Sequence, residues 1–415
     1  MRLDRDSFKE ILESITRNRS RSFLTGFGVF WGVFMLMLLS GGGQGLKQLL
    51  EKNFDGFAHN TCIVYASTTQ KPFKGFQKGR WWSLVYNDVE RLKQLVPELE
   101  TVTPIASFWG KIAERGEYSY TDGTIKGVRA DYSRIETPKI YYGRFLNDMD
   151  VLQQRKVCVI GKNVYNKLFP SGGDPCGQSL RIDGMYYTVI GVDYNEGNMS
   201  INGRATDAIT VPITLVQKTY NIGNDIHLLA FTAKDGIVMN DLIPKVRQII
   251  ARNHLIDPTD TGAINMINTQ MIFGIVDNLF KGINFLIWLI GLGTLLAGAI
   301  GVSNIMMVSV KERTTEIGIR RAIGATPRMI LSQIISESIL LTLAAGMLGI
   351  VASVFILQGV ELLMTKDGIL KAAFQVKFST AVSAALLLSL LGVLAGLAPS
   401  LRAMGIKPVD AMRDE

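Results

Sequence analysis

The amino-acid sequence predicts an α-helical membrane protein with four transmembrane helices and a large α+β extracytoplasmic domain inserted between helices 1 and 2. The first observation is compositional: only 19% of the 415 residues are charged, against roughly 25% in globular proteins, and the mean hydropathy is +0.21. The second is that four apolar runs approach or exceed the roughly 20 residues that cross a bilayer core. The third is a stretch of about 240 residues between the first and second runs, too long for a structureless loop.

The four runs define the predicted spans, which cover residues 23–40, 283–310, 329–357 and 379–401. The basic head of the first run and the small residues after it also resemble a secretory signal peptide. About 22 residues precede this run and no A-x-A site follows it, so an uncleaved anchor is favoured. Small residues at four-residue spacing in the last three spans predict close helix packing. These residues are Gly293, Ala297 and Gly301, then Ala345, Gly349 and Ser353, and finally Gly392, Gly396 and Ser400.

Basic residues are concentrated in three segments that flank the spans. Residues 1–22, 311–328 and 402–415 contain 14 of the 44 Lys and Arg residues, whereas the loop 358–378 contains three. Because short segments rich in Lys and Arg stay in the cytoplasm, this bias predicts that both termini and the loop 311–328 are cytoplasmic. The net charge of +8 is thereby explained without nucleic acid. Within residues 1–22, a capping box that begins at Ser7 and an apolar stripe predict an amphipathic helix on the inner membrane surface.

Residues 41–282 are predicted to fold as an α+β domain with stalk helices at both ends. Short stretches rich in β-branched residues predict strands at 61–65, 156–160, 179–182 and 187–192. Asp183-Gly184 between the last two is typical of a tight hairpin. Helical spacing predicts helices over residues 87–95 and 240–250. The pattern is compatible with one lobe or with two lobes divided near residues 110–155.

The predicted stalk consists of apolar residues at helical spacing just outside the first two spans. They are Leu46, Leu49 and Leu50 after the first span, and Ile272, Val276 and Leu279 before the second. Two amphipathic helices that pack together are the simplest interpretation, and two unrelated core helices are the alternative. Trp81-Trp82, in a stretch rich in Gly and Lys, is interpreted either as a partner-facing tip or as a packed core pair.

Motifs for catalysis or metal binding are missing from the sequence. The glycine cluster Gly41–Gly45 lacks the spacing and the Lys-Ser/Thr pair of a phosphate-binding loop, and it follows a membrane span instead of a strand. The three His and three Cys residues are scattered, so we expect no catalytic residue, no metal site and no cofactor in this chain. Glu337 in the third span is interpreted as a hydrated interfacial carboxylate or as a residue that contacts another helix.

The loop between the second and third spans reads KERTTEIGIRRAIGATPR over residues 311–328. Glu316 and Arg320 have the spacing of a helical ion pair. Gly324 is placed to end this helix, and Thr326-Pro327 to begin the next one. The loop therefore predicts a short charged helix with sharp limits, suited to receive force from a cytoplasmic partner.

Three segments of the sequence resemble one family, the FtsX-like, MacB-type permeases of ABC transporters. Glu312–Ala325 is very similar to the ERTxEIGIRRAIGA signature of this family, and Lys407–Arg413 is similar to its P-V-x-A-L-R ending. Val157–Val192, with its Asp183-Gly184 turn, is similar to the MacB periplasmic core domain. The order of the domains and the four spans matches along nearly the whole chain.

The resemblance implies a function and a set of partners. Such permeases work as dimers, of two copies or of two paralogues, served by a dimer of cytoplasmic ATPases that bind ATP and Mg. Movement passes through the loop and the stalk to the periplasmic domain, which exports a substrate. In this chain the residues implied to dock on the ATPase are Glu312, Arg313, Glu316, Ile317, Gly318, Arg320, Arg321 and Gly324.

The MacB proteins carry a fused ATPase, whereas this sequence begins shortly before its first span, so we expect the ATPase to be a separate subunit. A bacterial inner-membrane location follows from the same resemblance, with membrane lipid around the spans. A periplasmic adaptor and an outer-membrane channel are further partners that some members use. The alternatives are a Lol-like lipoprotein-release permease and an FtsX-like transducer that activates an envelope enzyme or sensor without transport.

Overall fold

The computed structural model describes residues 19–52, 54, 56–197, 199–365 and 373–406, with side chains from residue 26 onward. The predicted amphipathic helix, up to residue 18, and the C-terminal motif from residue 407 lie outside this part of the chain. Two compact units are present. The first, a helix bundle, is formed by the described residues of Met1–Leu49 and Asn278–Glu415, and the second, an α+β domain, by those of Leu50–Asp277.

Ten α-helices lie in the described part of the chain, numbered here in chain order. The first six are α1 (Arg19–Lys52), α2 (Tyr86–Leu95), α3 (Asp148–Leu152), α4 (Lys162–Leu168), α5 (Ile213–Thr219) and α6 (Met239–Asn253). The others are α7 (Thr269–Glu312), α8 (Thr314–Ala322), α9 (Pro327–Met364) and α10 (Phe378–Met404). Helices α1, α7, α9 and α10 are long and apolar enough to cross a membrane, so the predicted fold class is confirmed.

Twelve strands lie in the described part of the α+β domain. They are β1 (Thr61–Ala66), β2 (Leu84–Val85), β3 (Leu99–Arg115), β4 (Tyr118–Val128), β5 (Ile140–Gly143), β6 (Val157–Gly161), β7 (Ser179–Ile182), β8 (Met185–Asp193), β9 (Ala208–Pro212), β10 (Asp225–Ile226), β11 (Leu228–Ala233) and β12 (Ile264–Asn268). The four predicted strands correspond to β1, β6, β7 and β8. Asp183 and Gly184 both have left-handed φ values, 48° and 85°, and Ile182 pairs with Met185, which confirms the predicted hairpin.

The long strand β3 joins the sheet into one structure. Its first half pairs with β11 and its second half with β4 and β7. The sheet has the order β12-β1-β11-β3-β4-β9-β6-β8-β5, with β4–β9 and β6–β8 parallel. One hydrophobic core includes Val64 on β1 and Val189 on β8, at opposite ends of this path. The division into two lobes near residues 110–155 is therefore wrong, because the core is continuous across it.

Both faces of the central strands are covered. Every residue of β9 and β11 is buried, as expected for strands that lie between two layers. One face packs against helices, with Val89 of α2 and Val246 of α6 in the core. The other face packs against a smaller cluster around Tyr132 and Ile135. The predicted helices over residues 87–95 and 240–250 correspond to α2 and α6.

In the bundle, small residues bring the helices into close contact. A Cβ on Gly349 of α9 would lie 2.7 Å from the carbonyl oxygen of Phe30, so α1 and α9 meet there at close range. The Ser338 hydroxyl of α9 donates to the carbonyl of Gly392 on α10 at 2.8 Å. On α7 the predicted small stripe is wrong, because a Cβ added to Gly293 or Gly301 would have no neighbouring atom within 4 Å. This helix instead packs through Gly298, whose added Cβ would lie 3.1 Å from the Gly28 backbone.

The glycine cluster at the end of the first span has a packing role. A Cβ on Gly45 would lie 2.1 Å from the Phe374 ring, and one on Gly41 would lie 2.4 Å from a Leu357 methyl. The side-chain oxygen of Gln48 accepts a hydrogen bond from the Ala373 amide at 2.9 Å. The absence of side chains at these glycines therefore lets the segment before α10 lie directly on the α1 backbone.

Candidate coupling site

The candidate site is the short helix α8 and the ends of the three helices around it. A single residue, Arg313, separates α8 from α7. At the other end Gly324 has a φ of +112°, a conformation that favours glycine, and α9 starts at Pro327. Thr326 stands at the N-cap position of α9, and its hydroxyl makes no capping hydrogen bond. The predicted limits of the short helix are therefore confirmed.

One face of α8 is buried in the bundle. Ile317 is only 8% exposed, and Gly318 beside it is also buried. Ile317 belongs to the hydrophobic cluster of the bundle, together with Val310 of α7 and with Ile330 and Ile334 of α9. Burial of an isoleucine side chain contributes about 1.5–3 kcal/mol. This face therefore attaches α8 to two membrane helices.

Polar side chains on the same face bind α9. The Arg313 Nη1 atom lies 3.2 Å from the Glu337 Oε1 atom, and Glu337 is only 8% exposed. One turn earlier on α9, the Gln333 side-chain oxygen accepts a hydrogen bond from Arg320 at 3.1 Å. Arg320 also donates to Glu316 at 2.9 Å, which confirms the predicted pair within α8. Glu337 thus contacts the residue that links α7 to α8, close to the second interpretation, while the first, a hydrated interfacial carboxylate, stays a prediction.

A third attachment joins α8 to α10. The Arg321 guanidinium donates to the carbonyl oxygen of Met404 at 2.9 Å and also to the carbonyl oxygen of Ile406. These carbonyls lie at and just beyond the last turn of α10, where a helix leaves acceptors unpaired and favours positive charge.

A cavity of about 30 Å³ lies between α7, α8 and α9 and is lined by Arg313, Glu316, Arg320, Gln333 and Glu337, among others. The cavity, whose wall also includes apolar side chains such as Ile317 and Ile334, has room for a water molecule.

The opposite side of α8 is exposed and partly apolar. Ile319 is 45% exposed, Ile323 is 82% exposed, and Met329 at the start of α9 is 62% exposed. Of the residues implied to dock on an ATPase, Glu312, Glu316 and Gly324 are exposed, Arg313, Arg320 and Arg321 are partly buried, and Ile317 and Gly318 are buried. The docking residues implied by the sequence motif include the inward-facing Ile317 and Gly318 but not Ile319 and Ile323. A helical projection that starts from a buried Ile317 would have placed Ile319 and Ile323 on the outward side.

The residues of the predicted stalk lie on helices that continue without a break beyond the spans. Leu49 packs against the cluster of Leu357 and Phe374, and Leu50 is partly buried. On α7, Val276 is partly buried. The remaining three are exposed: Leu46 by 49%, Ile272 by 37% and Leu279 by 57%.

The start of α7 is fixed to the α+β domain by contacts that the sequence analysis did not identify. Thr269 is fully buried, and its hydroxyl donates to the Thr61 carbonyl at 2.8 Å and accepts from the Thr61 amide at 3.2 Å. One turn later, the Phe273 ring lies 4.8 Å from the Phe54 ring and 4.0 Å from the His59 ring. A threonine between an apolar strand and an apolar helix gives no distinctive pattern, so only the structure identifies this junction.

Other residues singled out from the sequence serve the α+β core or the surface. His254 contacts buried Asp88 at 2.7 Å, and Trp82 packs on the His254 ring at 4.7 Å, whereas Trp81 is 82% exposed. Burial raises the pKa of the Cys62 thiol to about 12, although Arg247 opposes the shift. In the described residues no three His, Cys, Asp or Glu side chains form a metal-binding group, and all three cysteines are free.

Together these features define a class of protein: a multi-pass membrane protein with a large domain between the first two spans and a short helix clamped between the second and third. Two family models match the chain, the MacB-like periplasmic core domain over residues 22–249 and the FtsX-like permease C-terminal domain over residues 288–408. The first match covers more than half of the chain. The chain therefore belongs to the family of MacB- and FtsX-like ABC transporter permeases, as the sequence motifs implied, and its large domain is periplasmic.

The chain is also similar to several individual proteins. The macrolide export ATP-binding/permease protein MacB of Bdellovibrio bacteriovorus is 27% identical over 410 residues, which are 97% of this chain and 61% of that protein. The ABC transporter permease YknZ of Bacillus subtilis is 26% identical over 411 residues, 99% of each chain. The crystal structure of the periplasmic region of MacB from Actinobacillus actinomycetemcomitans is similar with a TM-score of 0.43 and 20% identity, covering 55% of this chain and 98% of that one. The chain thus spans about three fifths of the length of the MacB relatives.

Proposed function

We propose that this chain is the permease subunit of a MacB-like transporter and couples ATP hydrolysis by a separate cytoplasmic ATPase to movements of its periplasmic domain. These movements export a substrate from the periplasm or the outer leaflet. The observation that carries the proposal is helix α8, which is bound to three bundle helices on one side and exposes apolar residues on the other. ATP and Mg belong to the partner, and the protein lies in a bacterial inner membrane with both termini in the cytoplasm.

The exposed apolar residues are proposed to form the ATPase contact. Ile323 and Ile319 lie four residues apart on α8, so they share one side of the helix. Exposed isoleucines surrounded by charged residues such as Lys311 and Arg328 are typical of the centre and rim of a protein interface. In this arrangement Ile317, Gly318 and Arg321 hold the helix in place, while Ile319 and Ile323, flanked by Glu312, Glu316 and Gly324, meet the partner.

Helix α7 is proposed to carry the movement outward. Its 44 residues run from Thr269 to Glu312 without interruption, a length of about 66 Å. It is anchored to the α+β domain at Thr269 and connected to α8 through Arg313 alone. A displacement of α8 is therefore transmitted to α7, whose other end is hydrogen-bonded to the periplasmic domain.

The relatives and the surface of α7 support the proposed partners. YknZ, which matches this chain over 99% of both lengths, is named an ABC transporter permease, and the MacB relatives are named for both ATP binding and permease activity. This difference supports a separate ATPase for the present chain. Met271, Ile275 and Leu279 are each about 60% exposed at four-residue spacing on α7. Such a stripe fits a second permease copy or a paralogue.

Two cysteine experiments test the proposal in the full-length protein. In inverted and right-side-out vesicles, an impermeant thiol reagent should label Thr315→Cys only from the cytoplasmic side and Ser119→Cys only from the other side. Cys176 is partly exposed, so both variants also carry Cys176→Ser, whereas buried Cys62 and Cys158 should contribute little background because burial raises the pKa of both thiols. The reverse labelling pattern would overturn the topology.

The second experiment tests docking. With the ATPase co-expressed, Ile323→Cys should cross-link to it through a short bifunctional reagent, while Leu363→Cys, 87% exposed at the other end of α9, should not. Equal yields from the two positions would refute the docking assignment. Transport is tested separately with the copurified ligand in reconstituted vesicles: ATP-dependent release supports export, and hydrolysis without release supports the alternative of a non-transporting transducer.

A further inference from the structure

The contacts on the inner face of α8 lead to an inference that rests on the proposed function and extends it. We propose that the Arg313–Glu337 ion pair and the Arg320–Gln333 hydrogen bond form a brace that makes α8 and α9 move as one body. Arg313 and Glu337 are then positioning residues for the coupling of ATP hydrolysis. Force applied to α8 is then transmitted to the third span through these contacts. It is also transmitted to the second span, which is covalently continuous with α8.

The first support is the location of the charge. Glu337 lies ten residues into α9, about 15 Å from its first residue, and is only 8% exposed. An unpaired carboxylate there would be strongly unfavourable, because desolvation of the charge would go uncompensated. Arg313 supplies the positive charge at 3.2 Å. The ion pair offsets part of this cost and therefore favours contact of Arg313, and with it the start of α8, with α9.

The second support is that the two polar contacts lie on one face of each helix, two turns apart along α8 and one turn apart along α9. On α9, Gln333 and Glu337 lie four residues apart and so share one face of the helix. Arg313 directly precedes α8, and Arg320 follows it by seven residues, so these two arginines also share one face. Ile317 lies between the two arginines and is buried in the cluster that contains Ile334. Two polar contacts on either side of an apolar one restrain both the distance and the rotation of α8, which a single contact would not do.

The third support is the small cavity behind the brace, which has a mixed polar and apolar lining. Its walls include both arginines and their partners on α9, and its volume of about 30 Å³ leaves no room for a large side chain to intervene. Both pairs of partners therefore face one small space between α8 and α9.

The experiment uses the full-length permease in lipid nanodiscs, first without any ATPase. Glu337→Gln should accelerate hydrogen exchange of the α8 amides at least about tenfold, because the charge-assisted bond to Arg313 becomes a weaker neutral one. Glu361→Gln, the same change near the far end of α9, is the matched control and should leave α8 exchange unchanged. If Glu337→Gln behaves like Glu361→Gln, there is no brace.

A double-mutant cycle guards against a general loss of folding. Arg313→Gln, Glu337→Gln and the double variant are compared, and the double variant removes both charges of the pair. If the two residues are coupled, the double variant should accelerate α8 amide exchange by less than the product of the two single-variant factors. An acceleration equal to that product would overturn the proposal.

The second stage adds the ATPase that copurifies with the permease. Glu337→Gln should bind this ATPase with wild-type affinity, since it leaves every residue on the exposed side of α8 unchanged, and should lose most of the permease-dependent stimulation of hydrolysis. Normal stimulation despite fast α8 exchange would refute the role in transmission. If the wild-type permease neither binds nor stimulates the ATPase, the proposed function fails, and the exchange result still decides whether the brace exists.

Discussion

Ile323 offers the sharpest test of how the permease meets its ATPase. Its side chain is 82% exposed at the end of α8, so substitution by alanine should leave the fold intact. The change removes three carbon groups, each contributing about 0.8 kcal/mol when buried. Because 82% of the side chain is available for burial on docking, the substitution should reduce the binding free energy by about 2 kcal/mol, or roughly 30-fold in affinity. Ile319, 45% exposed, should contribute about half as much, a roughly sixfold loss.

The assay is a titration of the full-length permease in nanodiscs with its labelled ATPase, followed by fluorescence anisotropy. Leu363→Ala is the control, because it removes a similar apolar group that is 87% exposed at the opposite end of α9. It should leave the dissociation constant unchanged. A dissociation constant for Ile323→Ala within twofold of the wild-type value, or equal weakening by Leu363→Ala, would refute the docking face.

Three other outcomes are expected. Gly324→Ala, at a φ of +112°, should introduce strain of about 1–3 kcal/mol and weaken ATPase binding, measured in the same titration. Thr269→Val should lose both hydrogen bonds to Thr61, destabilising the start of α7 by about 1–3 kcal/mol and accelerating its amide exchange, whereas Thr269→Ser should not. Asp150 is buried, which opposes its ionisation, yet hydrogen bonds from Arg144 and from the Asn147 amide hold the pKa of its carboxyl below the ordinary value. Its stabilisation is complete above the ordinary value of about 3.9 and disappears as pH falls through the lower folded-state pKa. Wild type should therefore melt above Asp150→Asn at neutral pH and lose this advantage below about pH 4; an advantage independent of pH would contradict the assignment.

Local features of the coupling loop could be predicted from the sequence because their causes lie within a few residues. Gly324 ends one helix through its own φ, Pro327 begins the next, and Glu316 and Arg320 are one turn apart. The same holds for the Asp183-Gly184 hairpin. These predictions required no knowledge of the tertiary structure.

The contacts that make the loop a site could not be predicted in this way. Arg313 and Glu337 are 24 residues apart, and a lone carboxylate in an apolar run does not reveal which of several basic residues reaches it. Ile317 and Ile319 are chemically identical, and only the position of α9 decides that the first is buried and the second exposed. The stripe on α7 was misplaced for the same reason: glycines occur at two spacings, and the neighbouring helix selects Gly298 over Gly293.

The exposed isoleucines of α8 also affect the fate of a permease that is synthesised in excess of its ATPase. A permease made in excess of its partner presents Ile319, Ile323 and Met329 to the aqueous phase as an uncovered apolar surface. Surfaces of this kind promote self-association and attract the proteases and chaperones that remove incomplete assemblies. On the proposed docking scheme, the side chains that meet the ATPase would also mark an unpaired subunit for clearance, which favours balanced synthesis of the two proteins.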